Sequence, residues 1–313
     1  MKFNLFFRSP AACLAMGCLL SFASLADAIN KAVSEHRSAD GVTQVEIIDT
    51  AGVVAVQGWD KPDLNVTGNL GGEVERLEIQ QTGSVITVRV VPKKLGLHIE
   101  WGKTTLTVKV PKNVALRAQL VSADLRIEGV SGHQELQSVS GDIHAAAAAD
   151  VRIRTVSGDV HLDVLSTSKL VELSTVSGDA IVGGGATGEF SFRSVSGDAR
   201  VKAGLLSRVA LKTVSGDLSM ASALTPDGRL EAESVSGDLR VDFAGGMPPA
   251  DYDLSTLSGE LSTCDGHKAV HPGVGPGSRL AYRQGAGTAR VHIDTKSGDV
   301  ALCDRYATDR TLA

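Results

Sequence analysis

Aromatic side chains are scarce in this chain, and their scarcity limits what it can bind. Two Trp, three Tyr and seven Phe make up 4% of the 313 residues. Carbohydrate-binding surfaces usually need exposed aromatic platforms, yet Phe190, Phe192 and Tyr252 alternate with polar residues, as core-facing strand residues do. Core packing is also the default expectation for the remaining Trp and Tyr residues, namely Trp59, Trp101, Tyr282 and Tyr306.

The chain also lacks an excess of positive charge. It carries 31 Lys and Arg against 36 Asp and Glu, a formal net charge of −5 at pH 7. Proteins that bind nucleic acid or anionic membranes by electrostatic attraction need a basic surface. The charge balance therefore argues against nucleic acid and acidic lipid as partners.

Long apolar runs are missing apart from one near the N-terminus. Lys2 and Arg8 precede this apolar stretch, and Ala26-Asp27-Ala28 follows it with the small residues of a cleavage site. The pattern is typical of a secretory signal peptide over residues 1–28, and the stretch is too short for a stable membrane span. We therefore expect an exported bacterial protein, periplasmic or secreted to the cell surface, with no transmembrane segment in the mature chain.

What the sequence has in abundance is one tetrapeptide, Val-Ser-Gly-Asp. Most steps between its copies are 17 to 22 residues, and the last is 39, close to two steps. Self-similarity at this period predicts stacked supersecondary units, none of which can bury its apolar face alone. We call each copy a mark and number it by its third residue. The marks are Gly141, Gly158, Gly178, Gly197, Gly216 and Gly237, with degenerate copies at Ala123, Gly132, Gly259 and Gly298.

The residues around each mark alternate between apolar and polar. Ile153 and Leu211 stand five positions before a glycine, and Val160 and Leu162 stand two and four positions after one. An apolar spacing of two is typical of a half-buried strand and does not fit the 3.6-residue period of a helix. We therefore predict an all-β fold, a parallel β-solenoid (β-helix) with coils of about 20 residues.

The domain organisation follows from where the marks begin. Residues 29–115 contain alternating runs without marks, and we interpret them as N-terminal capping strands of the solenoid. Residues 116–305 form the regular repeat, and residues 306–313 form a polar tail. No linker separates the two parts, so we expect one all-β domain of roughly a dozen coils.

Cys264 and Cys303 each follow a mark by five residues and so share one column. Two coils apart, they would be about 9.6 Å from each other, too far for a disulfide. If the Gly- and Pro-rich segment 271–278 is a loop that leaves one coil step between them, they can bond. We expect this disulfide, because an exported chain meets an oxidising compartment, although the sequence leaves one or two coil steps open.

Four segments carry a resemblance to a known family. They are "TAGVVAVQGWD", "TTLTVKVPKNVALRAQLVSADLRIEGVSG", the "SVSGDI" or "TVSGDV" coils, and "GAGTARVHIDTKSGDVAL". Over about residues 40–303 the chain resembles the bacterial "putative adhesin" family of β-solenoid domains. The resemblance implies an exported envelope protein of undetermined function, and it supplies no catalytic residue to carry over.

Two groups of side chains are weak candidates for a metal site. An acidic column follows the marks and includes Asp159, Asp179, Asp198, Asp217 and Asp238, while His144 and His161 should stack on neighbouring coils. Calcium needs six to eight oxygen ligands, and one Asp and one Ser per coil supply too few. We therefore expect solvated histidines, carboxylates that accept backbone N–H bonds, and no metal or other cofactor.

These observations favour a protein that is not an enzyme. The marks contain many serines, but none has an adjacent His and an orienting acid that the others lack, so no catalytic residue is predicted. We expect a non-enzymatic exported envelope or adhesion-type scaffold whose partner is an envelope protein or glycan that the sequence does not identify. A polysaccharide-binding or polysaccharide-cleaving solenoid is the alternative, and a calcium-binding β-roll ranks below it.

Overall fold

The computed structural model describes residues 31–93, 103–165, 168–271 and 276–303. Every regular element in these ranges is a β-strand, and most paired strands are parallel. The expected all-β fold of parallel strands is therefore confirmed. The expected signal peptide (1–28), Trp101 and the polar tail (306–313) lie outside the described residues.

The described residues form 22 strands joined by short connections. In chain order they are β1 (Lys31–Ser38), β2 (Gln44–Trp59), β3 (Asp63–Leu70), β4 (Val74–Thr82), β5 (Val85–Pro92), β6 (Thr105–Pro111), β7 (Ala115–Glu128), β8 (Gln134–Ser138), β9 (Ile143–Ala147), β10 (Val151–Thr155), β11 (Val160–Val164), β12 (Leu170–Ser174), β13 (Ala180–Gly184), β14 (Gly188–Ser196), β15 (Ala199–Ser215), β16 (Leu218–Ser236), β17 (Leu239–Phe243), β18 (Ala250–Ser258), β19 (Leu261–Thr263), β20 (Ser278–Gln284), β21 (Ala289–Ser297) and β22 (Val300–Cys303).

Strand β10 shows why these segments are extended. Val151, Ile153 and Thr155 are buried, whereas Arg152 and Arg154 between them reach solvent. Branched side chains favour the strand conformation, and alternation gives the strand one apolar face. The same alternation in β8, β11, β12 and β14 turns one face of each strand towards a common core.

Each regular coil contributes one strand before its corner glycine and one after it. Before the corner, Ile153 lies opposite Leu136 of β8 and Leu173 of β12. After the corner, Leu162 lies opposite Ala145 of β9. Because parallel pairing keeps like residues in register, they stack into columns with strands about 4.8 Å apart.

The strands that precede the corners form one row and those that follow form a second, and long strands that pass through a corner belong to both. The first row runs β4, β5, β2, β7, β8, β10, β12, β14, β15, β16, β21, β18, β20. The second row runs β1, β3, β6, β2, β7, β9, β11, β13, β15, β16, β17, β22, β19.

At the C-terminal end the coils do not stack in chain order. Strand β16 pairs with β21, and β18 lies on the far side of β21. The second row repeats this arrangement with β17, β22 and β19. Strand β20 runs antiparallel along one edge of β18, so only the other edge remains for β21. The coil β21–β22 is therefore inserted between two earlier coils.

At the N-terminal end, too, the spatial order of the strands differs from their order in the chain. Strand β2 pairs with β7 on one side and with β5 and β6 on the other, although β5 and β6 come later in the chain. Antiparallel strands β3 and β4 then cover β6 and β5, and β1 covers β3. These antiparallel strands end the parallel stack and reduce the parallel edge that another chain could extend.

The core is one continuous apolar cluster between the two rows. Phe190, Phe192 and Tyr252, which the alternation places inside, are at most 2% exposed. Phe243 joins them as a further large buried ring. The described residues contain no helix that is long and apolar enough to cross a membrane.

Candidate functional site

From Gly141 onwards, the corner of each regular coil brings two backbones so close that only glycine fits. A methyl group at Gly216 would lie 2.3 Å from the carbonyl oxygen of Gly197, and one at Gly237 would lie 2.2 Å from that of Gly216. Gly216 also has a φ of 120°, which other residues rarely adopt. The corners thus fix the stacking of the residues on either side of them.

The acidic residues after the corners form a hydrogen-bonded row that we call the Asp ladder. The amide N–H of Asp198 donates to Oδ1 of Asp179 at 2.9 Å, and that of Asp217 donates to Oδ1 of Asp198 at 2.9 Å. The same bond links each successive coil. The ladder consists of Asp124, Asp142, Asp159, Asp179, Asp198, Asp217, Asp238, Asp299 and Glu260.

This geometry occupies one carboxylate oxygen of each ladder Asp that accepts a bond. Because the donor is a backbone amide and the acceptor is charged, each bond is stronger than a neutral one. The bonds also explain how carboxylates about 5 Å apart are tolerated, since each one has its own donor. The metal candidates Asp159, Asp179, Asp198, Asp217 and Asp238 all lie in this ladder.

His144 and His161 stack on neighbouring coils, as the register predicts. Their ring centroids are 5.1 Å apart with an interplanar angle of 14°, and both side chains are exposed. The next position of the column is Ile181, which lies opposite His161. In the described part of the chain, no group of three or more His, Cys, Asp or Glu side chains has an arrangement that could hold a metal ion.

A row of exposed valines was missed by our sequence reasoning, and we call it the valine rib. It consists of the valine that begins seven of the repeat tetrapeptides. These side chains are 44% to 51% exposed, and backbone bonds such as Ser177 N–H to the carbonyl of Val156 place them on successive coils. The rib comprises Val121, Val139, Val156, Val176, Val195, Val214 and Val235.

Two shallow grooves lie against the rib on the first-row side. One has a volume of about 590 Å³ and runs past Val214 and Val235, with Arg193 and Lys212 on its wall. The other, of about 450 Å³, runs past Val121, Val139 and Val156. Apolar rib and groove therefore lie parallel to each other along the solenoid.

Cys264 and Cys303 form the expected disulfide, with their Cα atoms 4.8 Å apart. They follow β19 and end β22, which are adjacent parallel strands. One coil step therefore separates them. The two cysteines are one coil step apart because coil β21–β22 is inserted beside coil β18–β19, while β20 forms an antiparallel strand on the other edge of β18. The separation of one step is therefore not due to a loop that replaces a coil.

Beside the disulfide, aromatic rings stack at the C-terminal end. Tyr252 and Tyr282 lie with ring centroids 4.7 Å apart, and His267 covers Tyr282 at 3.9 Å. The Tyr282 hydroxyl donates to Asp265 at 3.1 Å. Burial raises the pKa of Asp265, but hydrogen bonds, including one from Tyr282, outweigh burial and lower it overall. Burial raises the pKa of both tyrosines, so their hydroxyls stay protonated.

Trp59 is the other aromatic residue that the sequence left for a binding platform. Its indole N–H donates to the carbonyl of Asp63 at 2.7 Å. The ammonium groups of Lys61 and Lys109 lie 5.1 Å and 5.7 Å from the ring centroid. Lysine side chains thus approach the half-buried ring, which is not a bare platform for a sugar.

Asp49 is a buried acid that sequence reasoning did not single out. It is 1% exposed, and its Oδ1 accepts the amide N–H of Thr50 at 2.7 Å. Burial raises its pKa to about 6, although hydrogen bonds from Ala51 and Thr50 oppose the shift. Asp49 occupies a core-facing position that the adjacent coil fills with Leu120 and later coils fill with Ser or Thr.

The fold and these surfaces define a class of protein, an all-β parallel solenoid that presents regular rows of side chains. Residues 43–303 match the family described as Toastrack DUF4097, and the chain belongs to this family, whose function is unknown. No curated protein matches the chain.

The solved structures that match the chain include the following three. The "putative adhesin" of Parabacteroides distasonis is 11% identical, with a TM-score of 0.45, over 87% of this chain and 97% of its own. That of Bacteroides fragilis is 13% identical, with a TM-score of 0.34, over the same shares of 87% and 97%. A "putative cell adhesion protein" of Clostridium sporogenes is 8% identical, with a TM-score of 0.27, over 88% and 100%.

Proposed function

We propose that the chain is a non-enzymatic, exported scaffold of the bacterial envelope, of the adhesion type. The observation that supports the proposal is that the valine rib and the Asp ladder each present similar side chains on successive coils. Such a surface suits an extended partner, because the partner can repeat the same contact at each step. The grooves beside it are shallow and open.

Three features support the parts of this proposal. The N-terminal 28 residues have the composition of a secretory signal, and a disulfide joins Cys264 and Cys303. Disulfides persist in compartments outside the cytoplasm. The carboxylates that would be the first choice as metal-binding groups each have one oxygen engaged in the Asp ladder. The family match names no activity.

Fractionation tests the compartment. We expect the chain in the periplasmic or surface fraction of its bacterium, with Cys264 and Cys303 resistant to alkylation until a reductant is added. A cytoplasmic chain with two free thiols at these positions would contradict the proposal.

Cell attachment tests the function. Cells that lack the chain should attach less to a surface or to neighbouring cells, and the unsubstituted chain should restore attachment. Ile153→Asp, which places a carboxylate in the core, should fail to restore it, whereas Arg154→Asp on the exposed neighbour should succeed. Release of new reducing ends from envelope polysaccharide by the purified chain would favour the polysaccharide-cleaving alternative and reject the scaffold.

A further inference from the structure

We propose that the Cys264–Cys303 disulfide is a redox-sensitive latch, and that its reduction by a dithiol releases strand β19 and the segment 264–270 from the end of the solenoid. The inference does not rest on the proposed adhesion function. It rests on the exposure of the disulfide, on the few contacts that otherwise hold β19, and on the contacts of the segment with Tyr282.

The disulfide is accessible from one side. Cys264 is exposed at the C-terminal end of the solenoid, whereas Cys303 is only 9% exposed. Exposed disulfides are reduced more readily than buried structural ones, and the labile and regulatory disulfides belong to this group. A dithiol in solution therefore reaches Cys264 without unfolding the solenoid.

Reduction proceeds by thiol–disulfide exchange. A thiolate of the dithiol attacks Sγ of Cys264, and the electron pair of the S–S bond goes to Sγ of Cys303, which takes up a proton. The second thiolate of the dithiol then attacks the reductant's own sulfur in the mixed disulfide and releases Cys264 as a thiol. The chain gains two electrons and two protons, and the dithiol is oxidised to a disulfide.

Few other contacts hold β19 in place. The strand has three residues, Leu261–Thr263, and among the described strands it pairs only with β22. Leu261 is its one buried side chain, at 6% exposed. Three residues are the lower limit of strand length, and segments with few buried contacts open locally without global unfolding. The covalent bond at Cys264, the next residue, therefore decides whether β19 stays paired.

The segment 264–270 leads from β19 towards the antiparallel strand β20 and contacts it. Asp265 accepts the Tyr282 hydroxyl at 3.1 Å, and the ring centroids of His267 and Tyr282 are 3.9 Å apart. Two backbone hydrogen bonds join the end of the segment to the start of β20. Because Asp265 follows Cys264 directly, the disulfide also positions the contact with Tyr282.

This end of the solenoid therefore has two states. In the oxidised state β19 covers the edge of β22, and the segment 264–270 covers Tyr282. In the reduced state both are uncovered, while β21 and β22 remain paired with β16 and β17. Strand β22, Val300–Cys303, carries no charged side chain, so its uncovered edge is one that a further strand can extend.

Thiol mapping and hydrogen exchange test the latch on the purified full chain. Dithiothreitol without denaturant should reduce the disulfide, and the masses of alkylated peptides should show thiols at Cys264 and Cys303. Exchange in peptides that cover 259–270 should then rise at least about tenfold, whereas exchange in β14 to β16 should change by less than about twofold. Oxidised glutathione should restore the original rates.

Two variants separate the latch from the contacts around it. Cys264→Ser combined with Cys303→Ser should show the exchange pattern of the reduced chain and should not respond to dithiothreitol. Tyr282→Phe removes the hydrogen bond to Asp265 and keeps the disulfide. Its β19 should stay protected as long as the chain is oxidised.

Four results would overturn the proposal. The disulfide could resist dithiothreitol until a denaturant is added, or the reduced chain could keep the exchange rates of the oxidised one. Exchange could also rise evenly along all coils, which would make the bond a general stabiliser. Loss of protection in oxidised Tyr282→Phe would show that the ring contact, and not the disulfide, holds β19.

Discussion

The amide of Asp198 donates a hydrogen bond to the side chain of Asp179, one coil away, at 2.9 Å. The same hydrogen bond recurs along the Asp ladder, so residues that resemble metal ligands in the sequence also connect neighbouring coils. A substitution that removes only the charge of a ladder Asp should therefore affect stability differently from one that also removes the hydrogen-bond acceptor.

We expect Asp179→Asn to change the free energy of unfolding by less than about 0.5 kcal/mol, because the amide oxygen still accepts the bond and repulsion with Asp159 and Asp198 falls. Asp179→Ala removes the acceptor and should cost about 1 to 2 kcal/mol. Urea denaturation measures both. Equal losses for the two variants would show that the bond contributes nothing.

Calcium should leave the protein unchanged. Because Oδ1 of each accepting Asp is occupied by a backbone donor, too few free oxygens remain for a six- to eight-coordinate ion. Millimolar Ca²⁺ or EDTA should therefore not shift the melting temperature. A rise of many degrees with Ca²⁺ that Asp179→Asn abolishes would favour the β-roll alternative.

The two sides of β10 should respond differently to charge. Ile153 is fully buried, so Ile153→Asp should cost several kcal/mol. The side chain of Arg154 is 56% exposed and 3.8 Å from Glu135, so Arg154→Asp should cost less than about 1 kcal/mol. Thermal unfolding of both variants checks the assignment, and similar losses would contradict the register.

Corner glycines should be far less tolerant than loop glycines with similar dihedral angles. Gly216→Ala places a methyl group 2.3 Å from a backbone oxygen, so we expect a loss above about 3 kcal/mol. Gly245 has a φ of 86° but no heavy atom within 4 Å of an added methyl. Gly245→Ala should therefore cost only about 1 kcal/mol. Denaturant midpoints compare the two, and equal costs would mean that dihedral strain alone matters.

The disulfide should stabilise the inserted coil. Cys264 and Cys303 close a segment with a sequence separation of 39 residues, so replacing both by Ser should cost about 3 to 4 kcal/mol. Hydrogen exchange should show the loss of protection first in β19 and β22. Protection that falls evenly along the solenoid would argue against a local effect.

Asp49 should make stability depend on pH. Its pKa is about 6 in the folded chain against an ordinary 3.8, so the folded state holds its proton over a range in which the unfolded state has lost it. Stability from this group is therefore greatest below about pH 4 and falls by about 2 to 3 kcal/mol as the pH rises through 6.

Asp49→Asn should remove the pH dependence of stability that Asp49 causes. It should also stabilise the protein at pH 7, because the Asn side chain is uncharged when buried and its oxygen can still accept the amide N–H of Thr50. Asp40→Asn, at an exposed position, is the control and should leave the pH profile as it is. Urea midpoints between pH 4 and 7 give the profiles. A parallel decline in all three proteins would exclude Asp49 as the cause.

The structure of the repeat unit could be predicted from the sequence, because each coil depends on the pattern of its own residues. Ile153 and Leu173 must alternate with polar neighbours to form a one-sided strand, and Gly216 must be glycine for the coils to touch. Such rules can be read without knowing which coil lies next to which. They correctly place Phe190 in the core and Cys264 in the column of Cys303.

The order of the coils could not be read in the same way. Every coil offers nearly the same edge, so β16 can pair with β18 or β21 without a change in pattern, and the choice depends on the antiparallel strand β20. The valine rib was missed for a different reason. Val195 is apolar, and apolar residues in a repeat suggest a core, whereas its place at the corner turns it outward.

The inserted coil gives a late part of the sequence an interior position. Residues 289–303 support β16 and β17 on one side and β18 and β19 on the other. A chain that stopped before Ala289 would keep its outermost layer and lose the one beneath it. The outermost coil of the solenoid, β18–β19, therefore depends on the inner coil β21–β22, which comes later in the chain.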